Sequence, residues 1–267
     1  MNSYAQTNIQ LFNQMQASGY AHADLVRVRD AYALAMVLFT GCFRRSGNTF
    51  IAHLVGTASI LAALRRSSTT VAAGLLHSAY SHGEFGDGSR RISEGKRNQL
   101  RHVVGTEAEM LVAQYTTSPW DQQAISALAH SSPLSGSDAH EVLMIRLANE
   151  LEDHLDLVAL YSGSIEDRRQ RIKSYLSQCV DIAGKLGFPA LASALSQAFE
   201  ETLSMRVASS LEEENVNLTH ENAIYLIAWK SSFLLPPASH RLRLKKRLSR
   251  IFQREFLARA VRVALPH

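Results

Sequence analysis

Two histidines and two arginines are the residues of this sequence with the clearest capacity for chemistry. His53 and His77 each fall among apolar residues at helical spacing, so both imidazoles are expected on the buried faces of helices. A buried neutral imidazole can bind a transition metal, and it can equally be a hydrogen-bonded core residue. Arg44 and Arg45 precede Ser46-Gly47, and two guanidinium groups can hold a phosphate through bidentate hydrogen bonds. These side chains predict a small site with imidazoles inside and guanidinium groups at its mouth.

Three segments that contain these residues resemble, in the same order, motifs of the HD-domain superfamily of helical metal-dependent phosphohydrolases. Residues 43–53 are similar to an Arg-Lys-Ser-Gly motif that precedes a histidine ligand. Residues 72–78 are similar to Ala-Ala-Leu-Leu-His-Asp, with Phe85-Gly86 following, and residues 145–151 are similar to Ile-Lys-Leu-Ala-Asp-Arg-Leu. In particular, the segments resemble the hydrolase domain of the alarmone synthetase/hydrolases, which cleave guanosine tetraphosphate. The resemblance extends over residues 24–160 and implies an HD-domain-like helical bundle.

The resemblance implies a metal site formed by His53, His77, Ser78 and Asn149. The family has aspartates at the positions of Ser78 and Asn149, so both carboxylates are replaced by neutral groups here. A hard cation such as Mn²⁺ prefers anionic oxygen ligands, and its charge would be left uncompensated at this site. We therefore expect either no cofactor or a weakly bound divalent metal (Mn, Fe or Zn) at low occupancy.

Neighbouring residues are candidates for the roles of the missing carboxylates. The family's Glu-Asp pair, which is associated with activating the attacking water, corresponds to Ser81-His82 here. The resemblance therefore assigns no catalytic residue, and the candidates are His82, as a further imidazole, and Glu84, which is close in sequence to the lost carboxylates. Asp153 lies one helical turn after the last of the four metal positions and is expected on the same face, at a family position near the nucleotide. Glu150 is rotated about 100° from that metal position and is expected to point elsewhere.

The sequence leaves three functions open. The leading hypothesis is a degenerate HD-domain protein that binds an anionic, nucleotide-like or phosphorylated small molecule, without efficient hydrolysis. Its ligand-binding residues would be Arg44, Arg45, Asn149 and Asp153. The first alternative is a divergent metal-dependent phosphohydrolase of the same superfamily. The second alternative is a scaffold or peripheral membrane protein that acts through a basic C-terminal helix.

Helices are the elements that must position these residues. Apolar residues recur at intervals of three and four along most of the chain, and β-branched runs with alternation are missing, so an all-α fold is predicted. A Ser/Gly stretch near Gly163 suggests an HD-like domain in residues 1–163 and a helical extension in residues 164–267. The predicted helices span residues 23–40, 49–65, 68–80, 100–115, 121–130, 139–161, 165–186, 189–209, 220–235 and 239–265.

The net charge of +4 is distributed unevenly along the 267 residues. Nine of the 28 Lys and Arg residues follow Ser239, against the single acidic residue Glu255, so the rest of the chain is net acidic. The helix predicted at 239–265 is therefore basic and amphipathic, and it could dock on an anionic membrane surface, on a protein partner or equally on the acidic remainder of this chain. The sequence has neither zinc-finger spacing nor an aromatic-rich RNA motif, so a nucleic-acid partner is not expected.

Cysteine content and hydropathy favour a cytoplasmic protein. The only cysteines, Cys42 and Cys179, are too few for a disulfide framework and indicate a reducing compartment. The N-terminal residues lack the basic and apolar regions of a signal peptide. Apolar runs are shorter than the roughly 20 residues that cross a bilayer, so any membrane association is expected to be peripheral.

Overall fold

The computed structural model describes residues 4–44, 46–131, 137–157 and 165–205. These residues form helices and no β-strand, with one isolated antiparallel bridge between Phe43 and Thr49. The prediction of an all-α fold is therefore confirmed. The helices are α1 (Asn8–Ala17), α2 (His22–Phe39), α3 (Phe50–Ala63), α4 (Ser68–Leu76), α5 (Ala79–His82), α6 (Glu94–Val104), α7 (Thr106–Thr117), α8 (Gln122–His130), α9 (Ser137–Leu155), α10 (Ile165–Lys185) and α11 (Pro189–Ser204).

Helix α3 lies at the centre of the described core. All side chains of residues 53–62 are buried, which is the pattern of a helix surrounded by others rather than of a surface helix. It packs against α1, α4 and α9. Thr49 caps its N-terminus by accepting a hydrogen bond of 3.2 Å from the Ala52 backbone N–H. Because His53 lies one turn into this helix, its ring is carried directly into the core.

The helix predicted at residues 68–80 is divided into two, so that part of the prediction is wrong. Helix α4 ends at Leu76, His77 follows at its C-cap, and α5 begins at Ala79. The His77 Nδ1–H donates a hydrogen bond of 2.7 Å to the carbonyl of Gly74 in the last turn of α4. This local bond fixes the ring at the helix end, where it is 1% exposed.

The sequence prediction misses α1 and the first half of α6, and the single helix predicted at residues 100–115 is wrong, since Gly105 divides it into α6 and α7. The first half of α6 contains no apolar side chain, and its buried residue there is Lys96, so hydrophobic spacing does not detect it. Arg97 and Arg101 donate hydrogen bonds of 2.8 and 3.0 Å to Glu109, which is fully buried on α7. Helix α1 starts at a capping box formed by Thr7 and Gln10, a local signal that hydrophobic spacing does not register.

Helices α10 and α11 pack against each other, α10 also packs against α8, and α11 packs against α9. The predicted boundary at residue 163 and the helices predicted at 220–235 and 239–265 lie outside the described residues. The two-domain division and the basic amphipathic helix therefore stay predictions. Among the helices that the structure describes, none is both long and apolar enough to span a bilayer.

Candidate functional site

His53 and His77 meet where α3 packs against the end of α4. Their Nε2 atoms lie 3.3 Å apart, and the two rings are 2% and 1% exposed. The rings are tilted by 75° to each other, so they approach edge to face rather than stacking. The structure thus brings together the two histidines that the sequence singles out, in a place that bulk water does not reach.

The Nδ1 atoms of both rings point away from each other, towards acceptors of the protein. His77 keeps its ring proton on Nδ1, because the Gly74 carbonyl that it contacts can only accept. The Nε2 atom of a neutral His77 is therefore a bare acceptor directed at His53. On the other side of the pair, His53 Nδ1 hydrogen-bonds to Oε2 of Glu152, a carboxyl group on α9.

Two arrangements of protons fit this geometry. If His53 donates its Nδ1–H to the Glu152 carboxylate, two bare Nε2 atoms face each other and require a cation between them. If instead Glu152 is protonated, it donates to His53 Nδ1, and the His53 Nε2–H donates to Nε2 of His77. The same three side chains therefore suit either a metal ion or a shared proton. The second arrangement becomes the first when the Glu152 proton moves to Nδ1 of His53 and the His53 Nε2 proton is released.

Burial sets the charges of these groups. It lowers the pKa of His53 to about 3, with the positive charge of Arg44 as the second cause. Burial also lowers the pKa of His77 well below 6.5, and the electrostatic effect of the neighbouring His53 is the second cause of this lowering. Burial raises the pKa of Glu152 to about 8. At neutral pH both imidazoles are therefore uncharged, which is the state a metal ligand requires.

Three carboxyl groups near the end of α9 surround Arg44. Its Nη2 lies 2.5 Å from Asp153 Oδ1, and longer contacts of 3.8 Å join Nη1 to Glu152 and Nε to Asp156. The Arg44 side chain is only 12% exposed. Arg44, predicted to bind an anion at the mouth of the site, is thus engaged by carboxyl groups of the protein. Ligand atoms of His53, Glu152 and Asp153 lie within 4.8 Å of one another, a spacing that could also hold a metal ion.

The loop before α3 is bound to α9 through Asp156. The Ser46 hydroxyl donates to one carboxylate oxygen at 2.7 Å, and the Asn48 side-chain amide donates to the other at 3.2 Å. These bonds, with the bridge between Phe43 and Thr49, hold Arg44 in place. Arg45, the second predicted basic residue, lies outside the described residues, so its role stays a prediction.

The other predicted metal positions are close to the histidines. The Asn149 side chain contacts the His53 ring, and its Nδ2 donates a hydrogen bond of 3.1 Å to Asp153. Asp153 therefore shares the face of Asn149, as the helical spacing predicts. Ser78 directly follows His77 and is 7% exposed. Asn149 thus lies beside the imidazole pair, and the roles of both residues as ligands stay predictions.

The two catalytic candidates have different surroundings. The half-buried His82 contacts the Phe50 ring at 5.4 Å between centroids, and the same ring contacts His53 at 5.6 Å. Glu84 is exposed, and its carboxylate accepts a hydrogen bond of 3.1 Å from the Gly86 backbone in the loop after α5. The structure thus places His82 one ring away from the histidine pair, and it shows Glu84 bonded to its own loop.

Sequence reasoning misses two members of the acidic group, Glu152 and Asp156. They share a helical face with Asn149 and Asp153, at intervals of three and four residues, so the spacing could have revealed them. Glu150, by contrast, accepts a hydrogen bond of 2.8 Å from Trp120 Nε1 on a different side of α9, as its rotation predicts.

Tyr115 is a further neighbour that the sequence does not single out. Its ring contacts His77 at 4.9 Å between centroids, and the Arg146 guanidinium lies 3.7 Å from the centroid of the same ring. Arg146 also donates a hydrogen bond of 2.9 Å to the Ser118 carbonyl after α7. This stack of a cation on an aromatic ring supports the wall behind His77.

The fold and the site define an all-α protein with a buried pair of histidines flanked by carboxyl groups. A family model described as a domain of unknown function (DUF6817) matches residues 37–119. The matched range contains both histidines and ends before α9, which supplies the acidic residues. No curated protein matches the chain.

Proposed function

We propose that this chain is a degenerate HD-domain protein that binds a divalent transition metal at its histidine pair and, with it, a phosphorylated or otherwise anionic small molecule. The observation that carries the proposal is the 3.3 Å approach of His53 Nε2 to His77 Nε2, with each Nδ1 bound to a protein acceptor. Metal-binding histidines characteristically bond their second nitrogen to a carboxylate or a backbone carbonyl. Glu152 and the Gly74 carbonyl are acceptors of these two kinds.

The spacing and chemistry of the donors fit such an ion. Two nitrogens held about 2.0–2.1 Å from one metal at a tetrahedral angle are about 3.3–3.4 Å apart. His53 and His77 would hold the ion, with the oxygens of Ser78 and Asn149 as further candidate ligands. Imidazole suits zinc and iron better than magnesium or calcium, which prefer anionic oxygen. We therefore expect Zn²⁺ or Fe²⁺ rather than a hard cation.

The charges around the pair favour an anionic ligand only when the metal is present. Arg44 is engaged by Asp153 and has two further carboxyl groups nearby, so it offers little net positive charge of its own. The bound metal would supply a positive centre for a phosphate oxygen, because its candidate protein ligands are neutral. Binding of the small molecule should consequently depend on the metal.

Efficient hydrolysis is not part of the proposal. A water-activating base must lie within hydrogen-bond reach of the reacting water, directly or through one further water. Glu84 is bonded to its own loop, and Asp153 is bonded to Arg44 and Asn149. Binding without efficient turnover is therefore the function we favour.

A divergent phosphohydrolase is the second candidate, and one observation favours it. His53, Glu152 and Asp153 form a group that could hold a cation with carboxylate ligands. Metal-dependent release of phosphate from nucleotides or sugar phosphates, lost in a His77→Ala variant, would identify this activity.

The action of the basic segment at residues 239–265 on a membrane or protein partner is an independent proposal, tested by liposome flotation and pull-down after deletion of residues 238–267.

Metal analysis tests the main proposal. The purified protein is stripped with a chelator, reloaded with Zn²⁺, dialysed and measured by elemental analysis. We expect about one ion per chain in the wild type and a loss of at least tenfold in His53→Ala and His77→Ala, since each removes a ligand. His130→Ala, at an exposed histidine on α8, is the matched control and should keep its zinc. Equal zinc content in all four proteins would contradict the proposal.

The small molecule is tested next by calorimetry with nucleotides and sugar phosphates, with and without Zn²⁺. We expect heat of binding only for the zinc-loaded wild type. A ligand that binds the metal-free chain equally well would show that the anion site does not depend on the histidine pair.

A further inference from the structure

Glu152 is the one carboxyl group that hydrogen-bonds directly to the histidine pair within the part of the chain that the structure describes. Its side chain is 3% exposed, and its Oε2 bonds to Nδ1 of His53. Arg44, the nearest cation, lies 3.8 Å from the same oxygen and makes its short bond to Asp153 instead. The direct partner of Glu152 is therefore the imidazole and not the arginine.

A glycine on α3 makes room for this carboxyl group. A Cβ atom added to Gly56 would lie 2.8 Å from Cγ of Glu152 and 3.1 Å from its Oε1. Carbon atoms at 2.8 Å overlap, so any larger residue at position 56 would displace the glutamate. The position of the Glu152 side chain against α3 therefore depends on the absence of a side chain at position 56.

We propose that Glu152 is a positioning residue: it orients His53 so that Nε2 faces His77, and on metal binding it loses its proton and supplies from behind the ring a negative charge that Ser78 and Asn149 do not. This inference rests on the proposed function, since it concerns the same metal-binding pair. A carboxylate on the far nitrogen fixes the tautomer of a ligand histidine and raises its basicity. The last of the three similar motifs ends at residue 151, and beyond it the resemblance relates Asp153, but not Glu152, to the family's ligand.

Zinc titration of three variants separates the two parts of this role. Glu152→Gln keeps an acceptor for His53 Nδ1–H but cannot ionise when the metal binds, and we expect about tenfold weaker zinc binding. Glu152→Ala removes both, and we expect about 100-fold weaker binding. Gly56→Ala leaves the charge intact but displaces the carboxyl group, so it should also weaken binding. Glu150→Gln, at the partly buried carboxyl group bonded to Trp120, is the matched control and should bind zinc like the wild type.

A spectroscopic readout distinguishes positioning from general destabilisation. In the metal-free chain, ¹⁵N shifts of the His53 ring report its tautomer, and we expect them to change in Glu152→Ala and stay unchanged in Glu150→Gln. Identical His53 shifts in the wild type and Glu152→Ala would overturn the positioning role. Zinc binding that is lost in His53→Ala but unchanged in Glu152→Gln would overturn the charge role alone. A wild type that binds no zinc would refute the proposed function and the charge role, while the tautomer comparison would still decide the positioning role.

Discussion

At the scale of single residues, the direction of each imidazole nitrogen distinguishes this pair from two histidines packed in a core. His77 is fixed by a carbonyl three residues earlier in its own helix turn, whereas His53 is fixed by Glu152, 99 residues later in the chain. The first bond is local and forms with α4. The second exists only when α3 and α9 are packed together, so the geometry of the pair depends on the tertiary fold.

Arg44 is the residue whose removal should most disturb the acidic end of α9. In Arg44→Gln, Asp153 loses its short ion pair, and Glu152 and Asp156 lose the cation between them. Breaking a buried ion pair costs about 3–5 kcal/mol. Because Asp153 is partly exposed, we expect the free energy of unfolding to fall by less, about 2–3 kcal/mol. Urea unfolding at pH 7.5 measures this change in the free energy of unfolding.

An exposed arginine supplies the control for that experiment. Arg29 pairs with Asp30 at 2.7 Å, but the two side chains are 52% and 41% exposed. Such surface pairs contribute about 0–1 kcal/mol, so Arg29→Gln should change stability little. Equal small losses in Arg29→Gln and Arg44→Gln would mean that the acidic group does not need its arginine.

At the scale of elements, the helices that hydrophobic spacing predicts best are those whose buried faces are apolar, such as α2 and α3. The period fails in α6, where the partly exposed Arg97 and Arg101 bond to the buried Glu109 on the next helix. The same limit applies to the site. His53 and His77 can be predicted from their motifs, but the contact of Glu152 with His53 depends on packing between distant helices, which no local pattern contains.

Gly105 separates α6 from α7 and should tolerate no side chain. Its backbone has φ 89° and ψ 165°, a conformation that is essentially restricted to glycine. Gly105→Ala should therefore destabilise the protein by about 1–3 kcal/mol, measured by thermal and urea unfolding. Gly95 lies inside α6 with open space around its Cα, so Gly95→Ala should be neutral or stabilising by about 0.5 kcal/mol. Loss of stability in both variants alike would refute this account of the α6–α7 junction.

At the scale of the whole molecule, His154 and Glu150 change the free energy of unfolding in opposite directions as the pH changes. Burial lowers the pKa of His154 to about 4, and burial followed by Asp153 raises the pKa of Glu150 to about 7. The histidine contributes stability that is present at neutral pH and is lost as the pH falls from about 6.5 to 4. The glutamate contributes stability that is present in acid and is lost as the pH rises from about 4.5 to 7.

Removing the histidine isolates the first contribution. His154 is 2% exposed, and its Nδ1 bonds to Thr202 at 2.9 Å. Between pH 7 and pH 4.5 this group lowers the free energy of unfolding of the wild type by about 2–3 kcal/mol, because His154 becomes protonated in the unfolded chain but stays largely neutral in the folded chain. His154→Asn should therefore gain stability relative to the wild type on acidification. A difference in unfolding free energy that is the same at both pH values would contradict the buried neutral state of His154.

Removing the glutamate should change the pH profile in the opposite direction. Glu150→Gln keeps an acceptor for Trp120 Nε1 and is uncharged at every pH. The variant therefore does not lose stability as the pH rises, whereas the wild type does when Glu150 ionises. Between pH 4.5 and pH 8 we expect Glu150→Gln to gain about 2 kcal/mol relative to the wild type, with allowance for the partial exposure of the side chain. The two variants therefore tilt the dependence of stability on pH in opposite directions, which a change in packing alone cannot do. The profiles are measured by urea unfolding at four pH values. Parallel profiles for the wild type and both variants would show that the pKa of each group is the same in the folded and unfolded chains.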